Sequence, residues 1–434
     1  MMDSNQMPDG WLKSKICDIA TVSGGKRLPK GEILSEINTD HPYIRVANMK
    51  EKGLVLENIL YVPNSAIESI KKYKIFATDL YISVAGTLGM VGEIPKELSG
   101  ANLTENANRI SEIKCNKTFL LYVLRSNLVQ KYIEREKTIS AQPKLALTRI
   151  KNFHIPIPPL KEQQKIAAIL SSVDEAIEKT EQIIEQTETV KKGLMQQLLT
   201  KGIGHTEFKD SPIGEIPSSW ELVSIDELFD IEGGMSFSRA QLSDQGYPYL
   251  HYGDIHASPK QYISTQDFDT IPRINIDESK IKTRAIVKVG DIVLSDASED
   301  MEGVGRYIVI RDSNKEDIVS GLHTIALKDT SHMLDNSYKE YAFQSIFLKK
   351  QFRRIATGAT VYGISKGNVK KLIVPVPPKD EQIEIAKSFL ELDTKIAYER
   401  SKLPRLQEVK QGLMQQLLTG KVRVSIDEGE EVLP

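Results

Sequence analysis

From Lys161 to Thr200, apolar or small residues return at Ile166, Val173, Thr180, Thr187 and Leu194, and again at Ile169/Leu170, Ala176/Ile177, Ile183/Ile184, Val190 and Leu198. A period this close to 3.5 predicts a helix that seats its seam against a second helix, a coiled coil. Forty residues at 1.5 Å rise predict a rod of about 60 Å. A second stretch keeps the period through Ile385, Phe389, Leu392, Ile396, Leu403, Leu406, Val409, Leu413 and Leu417. Pro404 lies inside it, and the loss of a backbone donor there predicts a kink or an interruption. Pro158-Pro159 and Pro377-Pro378 mark where each rod begins, because the residue before a proline is pushed toward extended geometry.

Outside the rods the pattern shortens. The β-branched runs YIRV at Tyr43, LYISVAG at Leu80, AIVKVGDIVLS at Ala285 and RYIVI at Arg306 alternate with glycine and asparagine turns, which predicts short strands. Each lobe then closes with a helix, near 118–136 and 338–355, a polar loop, and an apolar IPIP or VPVP strand. The predicted order is a lobe over 1–158, a helix over 159–200, a linker over 201–218, a second lobe over 219–377, a helix over 378–420 and a tail over 421–434. The fold class is α+β: two mixed α/β lobes joined and spaced by two long antiparallel coiled-coil helices.

The halves are copies. VKKGLMQQLLT at 190–200 returns as VKQGLMQQLLT at 409–419, ten of eleven positions identical at an offset of 219. At that offset IPIPPLKEQQKIA (155–167) faces VPVPPKDEQIEIA (374–386), and Tyr122 and Ser126 face Tyr341 and Ser345. Near the start of each half the offset is 209, pairing Trp11 with Trp220 and Gly24-Gly25 with Gly233-Gly234. Matched frames with divergent interiors suggest an internal tandem repeat with pseudo-two-fold symmetry, each copy presenting a different surface to a different part of one ligand.

Composition adds little until it is divided. The chain has a formal net charge of −2. Residues 1–158 hold 22 Lys+Arg against 16 Asp+Glu, while residues 219–378 hold 19 against 22. Only the first lobe is basic, so charge by itself does not single out a nucleic-acid binder. No apolar run reaches the roughly 18 residues of a membrane helix and the polar start is no signal peptide, so a cytoplasmic protein is expected. Cys17 and Cys115 are too few for a disulfide framework or a cysteine-based zinc site.

Chemistry is sparse. The Pro-Pro pairs sit in IPPL and VPPK, without the acidic or amide residue and the aromatic that an adenine methyltransferase uses to hold a flipped base. GVGRYI at Gly303 lacks the third glycine of a dinucleotide fingerprint, and no Walker loop is present. Asp291 with Glu299 is the kind of acidic pair that arises by chance at this charge content. His251, Asp254 and His256 in HYGDIH fit no strong zinc spacing. The same segment aligns with Arg45 and Asn48 of the first lobe, leaving base recognition, an ordinary turn and a metal as open readings. The loops ISAQPKLALT (139–148) and ATGATVYGIS (356–365) combine hydroxyls, an amide, a lysine and an aromatic that suit phosphates and base edges, or plain surface turns.

The PPLKEQ and PPKDEQ helix starts, the KKGLMQQLLT and KQGLMQQLLT helix ends and the FKDSPIGEIPSSW restart together resemble the specificity subunit of type I restriction-modification enzymes, over nearly the whole chain. The resemblance implies a non-catalytic DNA-binding subunit whose two target recognition domains each read one half of a bipartite, asymmetric target. It implies helices that act as a ruler and dock two modification subunits, with Gln163, Leu194, Leu198, Gln382, Leu413 and Leu417 as docking candidates. No cofactor is expected in this chain; S-adenosylmethionine for adenine methylation, and ATP with magnesium for cutting, would belong to partner subunits. The alternatives are a self-contained DNA-modifying enzyme and a tandem protein-binding scaffold. The DNA-contact candidates are Lys26, Arg27, Lys30, Arg45, Asn48, Gln142 and Lys144 in the first lobe. In the second they are Ser236, Ser238, Arg239, His251, Asp254, Thr360, Tyr362 and Lys366. Arginine suits guanine, asparagine or glutamine adenine and aspartate cytosine, while lysines suit phosphates.

Overall fold

A computed structural model describes residues 7–137, 144–313 and 315–426. The chain divides into two compact units, Met1–Glu181 with Ser401–Pro434, and Gln182–Arg400. Each unit therefore takes one lobe and half of each long helix, a grouping that the serial order of segments does not display.

In the first unit, Leu12–Lys15 pairs antiparallel with His154–Ile157, so the strand after Trp11 closes on the IPIP strand that leads into the helix. Above this clasp lie two four-stranded sheets. One orders Thr21–Gly24, Ala107–Ser111, Leu80–Ser83 and Val91–Glu93; the other orders Leu60–Tyr61, Pro42–Ile44, Ala101–Leu103 and Lys74–Ile75. The second unit repeats the plan with five-stranded sheets and the clasp Glu221–Ser224 with Ile373–Val376. In both, the YIRV-type strand lies parallel to its neighbour, Tyr43 beside Asn102 and Tyr249 beside Val319. Parallel strands need a long crossover, and this topology brings distant turns to one edge.

The single closing helix expected in each lobe is two. Lys117–Arg125 and Asn127–Lys137 break at Ser126, whose hydroxyl donates to Val123 O; Asn336–Ala342 and Ile346–Ile355 break before Ser345, whose hydroxyl caps Leu348 N. The repeated serine is the break, because a side chain that bonds the backbone competes with helix continuation.

The long helices run Leu160–Lys201 and Lys379–Leu417. The second passes through Pro404 without interruption. Proline costs an interior helix about 3 kcal/mol, but its ring is exposed while Leu403 and Leu406 on either side stay half-buried in the seam. Packing, more than propensity, carries a long helix. The seam register departs from expectation at one place in each helix. Val190 and Val409 are 52% and 50% exposed, and Lys191 and Lys410 take their seam positions.

Those lysines explain the shift. In the second unit Lys191 Nζ lies 2.5 Å from Asp393 Oδ1, and Tyr341 donates to Asp393 Oδ2 at 3.0 Å. In the first, Lys410 Nζ lies 2.6 Å from Asp174 Oδ1, and Tyr122 donates to Asp174 Oδ2 at 2.7 Å. A lobe tyrosine, an aspartate of one helix and a lysine of the other are thus tied together twice. Within each unit the helix segments run antiparallel, Glu162 pairing with Arg423 and Asp174 with Lys410, Glu188 with Arg400 and Lys191 with Asp393.

The PPxxEQ starts are fasteners as well. Trp11 Nε1 donates to Glu162 at 3.1 Å and Trp220 Nε1 to Glu381 at 3.0 Å. Gln163 accepts from Asn116 N and donates to Pro158 O; Gln382 accepts from Asp335 N and donates to Pro377 O. Both glutamines are at most 4% exposed, and Leu198 and Leu417 lie in the cores around Trp220 and Trp11. These four side chains are turned into their own units, which corrects the docking role expected of them; Leu194 and Leu413 are half-buried in the seam. Glu381 also accepts from Ile203 N and contacts His205 Nε2. Glu381→Ala leaves a fully buried indole N–H without a partner and is expected to cost the second unit about 1–3 kcal/mol, read as a shift of the urea midpoint with an unchanged slope.

Candidate nucleic-acid interface

Each lobe assembles one edge from four separate stretches, and the same backbone bonds build it both times. The strand ending in the first glycine of the GG pair delivers the second, Gly25 or Gly234, whose N–H bonds Ala107 O or Thr324 O. A Cβ on Gly25 would collide with Thr104 O, and one on Gly234 with Gly321 O, so this close approach of two backbones requires glycine. The next residue repeats the device, Lys26 N to Leu103 O and Met235 N to Ser320 O, each 2.8 Å. Beneath it, Tyr43 donates to Lys26 O and Tyr249 to Met235 O, each also 2.8 Å. Burial raises both phenols above their ordinary range, keeping them protonated donors.

The second stretch follows the parallel strand. Asn48 Oδ1 accepts from Arg45 N at 3.0 Å, and Asp254 Oδ2 accepts from His251 N at 2.8 Å. Asn48 is 3% exposed. Burial lifts the Asp254 carboxyl above the usual range despite the His251 N–H that favours its charge. Both side chains cap a helical turn, so their change of type between lobes is a change between equivalent caps; for the buried Asn48 this corrects the base-reading role expected of it. His251 Nδ1 accepts from Gly253 N, and His256 Nε2 lies 3.1 Å from Ser295 Oγ and 2.9 Å from Ala297 O. His251, Asp254 and His256 thus each bond a different protein group. Arg45 donates through Nη2 to Asn58 O.

The third and fourth stretches lock together. Val84 N bonds Asn106 O and Leu145 N bonds Val84 O; in the second lobe Asp296 N bonds His323 O and Ile364 N bonds Asp296 O. Leu145 and Ile364 are buried anchors, 1% and 7% exposed.

The sequence candidates distribute unevenly over this frame. In the first lobe Lys26, Arg27, Lys30 and Lys144 are exposed, and Gln142 lies outside the described residues. Arg27 Nε meets Glu105 at 2.6 Å, joining the GG loop to the neighbouring turn. Burial works against the Glu105 charge, yet the Arg27 hydrogen bond with the local backbone and the Thr104 hydroxyl holds its carboxyl below the usual range. Lys26 Nζ sits 5.8 Å over the Tyr73 ring. In the second lobe Ser236, Ser238, Thr360 and Lys366 are exposed, Arg239 begins a short 3-10 turn, and Tyr362 pairs with Ser298 across a two-stranded ribbon. Ser238 is engaged by Gln241 Oε1. Ser236 and Lys366 meet in a cleft of about 360 Å³, and there the sequence reading missed three residues: Asp296, His323 and Ser365. They fall where the first lobe has Val84, Asn106 and Ala146 on the same backbone bonds, a correspondence that the fold displays.

The family model for the type I restriction modification DNA specificity domain matches twice, at residues 8–189 and 217–408. Two Methanocaldococcus jannaschii proteins named as type I restriction enzyme specificity subunits, MjaX and MjaVIII, are 28% and 25% identical over 441 and 435 residues. They cover 96% and 98% of this chain and 95% of each relative. The HsdS subunit of Thermoanaerobacter tengcongensis has a similar fold, with a TM-score of 0.51 at 17% identity, covering 97% of this chain and all of that one. A chain from a structure of type I R-M complex assembly reaches 0.57 at 17% identity over 96% of this chain. Among the described residues no helix is long and apolar enough to cross a membrane.

Proposed function

This chain belongs to the family of type I restriction-modification DNA specificity domains, with that domain present twice, and we propose that each copy reads one half of a bipartite, asymmetric duplex target. The observation that carries the reading is the doubled edge: one backbone frame, built from the same hydrogen bonds, presents different side chains in each lobe. Lys26, Lys30, Lys144 and Lys366, all exposed, are the candidates for phosphates, and such contacts weaken steeply with salt. Arg45 and the residues of the second-lobe cleft are the candidates for base edges. The two long helices set the distance between half-sites and dock two modification subunits through their outward faces, where Val190, Tyr398 and Val409 are exposed. Adenine methylation from S-adenosylmethionine, and ATP- and magnesium-dependent restriction, belong to the partner subunits. This chain supplies the address and no reacting group.

The acidic second lobe sets the expected binding behaviour. With 19 Lys+Arg against 22 Asp+Glu over 219–378, it supplies few of the counterion-releasing contacts that dominate affinity. The isolated chain is therefore expected to bind duplex DNA at least tenfold more weakly than the chain assembled with modification subunits, with a shallower dependence of log K on log salt. Fluorescence anisotropy at several salt concentrations measures both. Nanomolar, sequence-specific binding by the isolated chain contradicts the partner dependence; binding by neither form contradicts the function.

A further inference from the structure

We propose that Asp296, oriented by His323, is the base-selecting acceptor of the second lobe and takes a hydrogen from the exocyclic N4 amino group of a cytosine in its half-site. The inference rests on the function proposed above and adds a residue, an atom and a base.

Three observations converge on this pair. The first is availability. Asp254 Oδ2 is committed to a helix cap, whereas Asp296 caps no helix: its carboxylate meets His323 Nδ1, 3.2 Å from Oδ1, and its side chain is 32% exposed. Asp296 lines the same cleft as Ser236 and Lys366. The second is the comparison inside the molecule. The position of Asp296 in the backbone ladder is that of Val84, which is 2% exposed and belongs to the first lobe's core. One frame position is an apolar core residue in one lobe and a half-exposed acid in the other, so the acid is not there to hold the frame. The third is the backbone of His323, which lies at φ +55°. A left-handed residue with a β-carbon is uncommon and is kept where its surroundings insist on it. Here His323 O accepts from Asp296 N, and the ring meets Tyr252 edge-on at 5.5 Å, so the imidazole is held from two sides beside the carboxylate.

The choice of base follows from the donor and acceptor pattern of the major groove. A carboxylate only accepts. Guanine presents N7 and O6 and thymine O4, all acceptors, which repel it; adenine offers N6–H beside the acceptor N7; cytosine offers its N4 amino group without a flanking acceptor. With Nδ1–H of His323 bound to Oδ1, Oδ2 is the oxygen that accepts from cytosine. Lys366, whose Nζ lies over Gly233 in the same cleft, supplies the positive charge that lets a carboxylate approach a polyanion.

The test uses the full chain co-expressed with its modification subunits, reading the methylated motif of the host for wild type, Asp296→Asn and His323→Asn. Asparagine at 296 presents both a donor and an acceptor, so the expected result is a motif in which one C·G pair, in the half read by the second lobe, shifts toward adenine or becomes degenerate. Discrimination at that pair falls roughly tenfold to a hundredfold. His323→Asn, which suits a left-handed position, is expected to keep cytosine preferred with weaker discrimination. An unchanged motif in Asp296→Asn, or a second-lobe half with no specified C·G pair, overturns the assignment. Should Asp296→Asn abolish methylation, competition binding by the assembled complex decides: relief confined to substitutions at one C·G pair supports the assignment, and a uniform loss over all duplexes overturns it. A wild type that methylates no gapped motif refutes the proposed function itself, which separates the two failures.

Discussion

Exchanging residues 1–158 for the first lobe of another family member is expected to replace one half of the recognised sequence and leave the other half unchanged. Each edge is built within its own unit, since in the first lobe Gly25 bonds Ala107, Lys26 bonds Leu103, Val84 bonds Asn106 and Leu145 bonds Val84, all between residues 25 and 145. Two or three mismatched base pairs in the replaced half, at about 1–3 kcal/mol each, should together weaken binding to the original target by roughly thirtyfold to a millionfold. The exchange has a structural condition. Glu162 and Asp174 remain with the host helix and await a tryptophan and a tyrosine at the positions of Trp11 and Tyr122. A donor lobe carrying both should give a folded chimera; one lacking them should lose stability before it loses specificity. Selection of bound duplexes from a random pool by the assembled chimera reads the outcome, and a change in both halves contradicts independent lobes.

The largest effect of a single substitution is expected at Lys339. Its side chain is fully buried, and its Nζ donates to Gly290 O at 2.8 Å, Asp329 Oδ2 at 2.6 Å and Asn336 Oδ1 at 2.8 Å. Lys339→Ala takes the buried ammonium from the Asp329 carboxylate, 8% exposed, and leaves it His332 N and the exposed His332 ring; removing one member of a buried pair costs about 3–5 kcal/mol. The first lobe solves the same problem without charge, since the residue 219 positions earlier is Leu120, also fully buried. Lys339→Leu combined with Asp329→Asn is therefore expected to lose distinctly less than Lys339→Ala, a non-additive result typical of paired groups. Urea unfolding followed by Trp220 fluorescence in a Trp11→Phe background reports on the second unit. Burial opposes the Asp329 charge, but the Lys339 hydrogen bond and charge outweigh it and hold the carboxyl below its ordinary range. This carboxylate's contribution is then present above the ordinary aspartate pKa and lost as pH falls through the lowered folded value. The gap between wild type and Lys339→Ala should persist from neutral pH down to that acidic window and narrow within it.

Much of the scaffold was legible because it is written twice. The 219-residue offset located the helices, the paired Tyr122 and Tyr341, and the PPxxEQ starts before any contact was known. What those residues do was less legible. Gln163 and Gln382 occur in a polar motif on an amphipathic helix, which is also how a docking face looks; their targets, Asn116 N and Asp335 N, lie 47 residues away on another element. The seam was displaced by one residue at Val190 and Val409 because hydrophobicity favours valine, whereas the position needs a chain long enough to reach Asp393 or Asp174. Asn48 resembled a base reader because cap residues and base readers draw on the same short polar side chains. Asp296 and His323 were passed over because no local pattern joins residues 27 apart in irregular segments; the backbone ladder that aligns them with Val84 and Asn106 exists only in the fold.

The central claim, that this chain alone gives a type I complex its address, is tested most directly by mapping N6-methyladenine in a host that expresses the modification subunit with and without it. The account predicts a single asymmetric motif in two parts with a fixed gap, present only with the chain. An active modification subunit that methylates the same sites in its absence, or a motif without a gap, would contradict it.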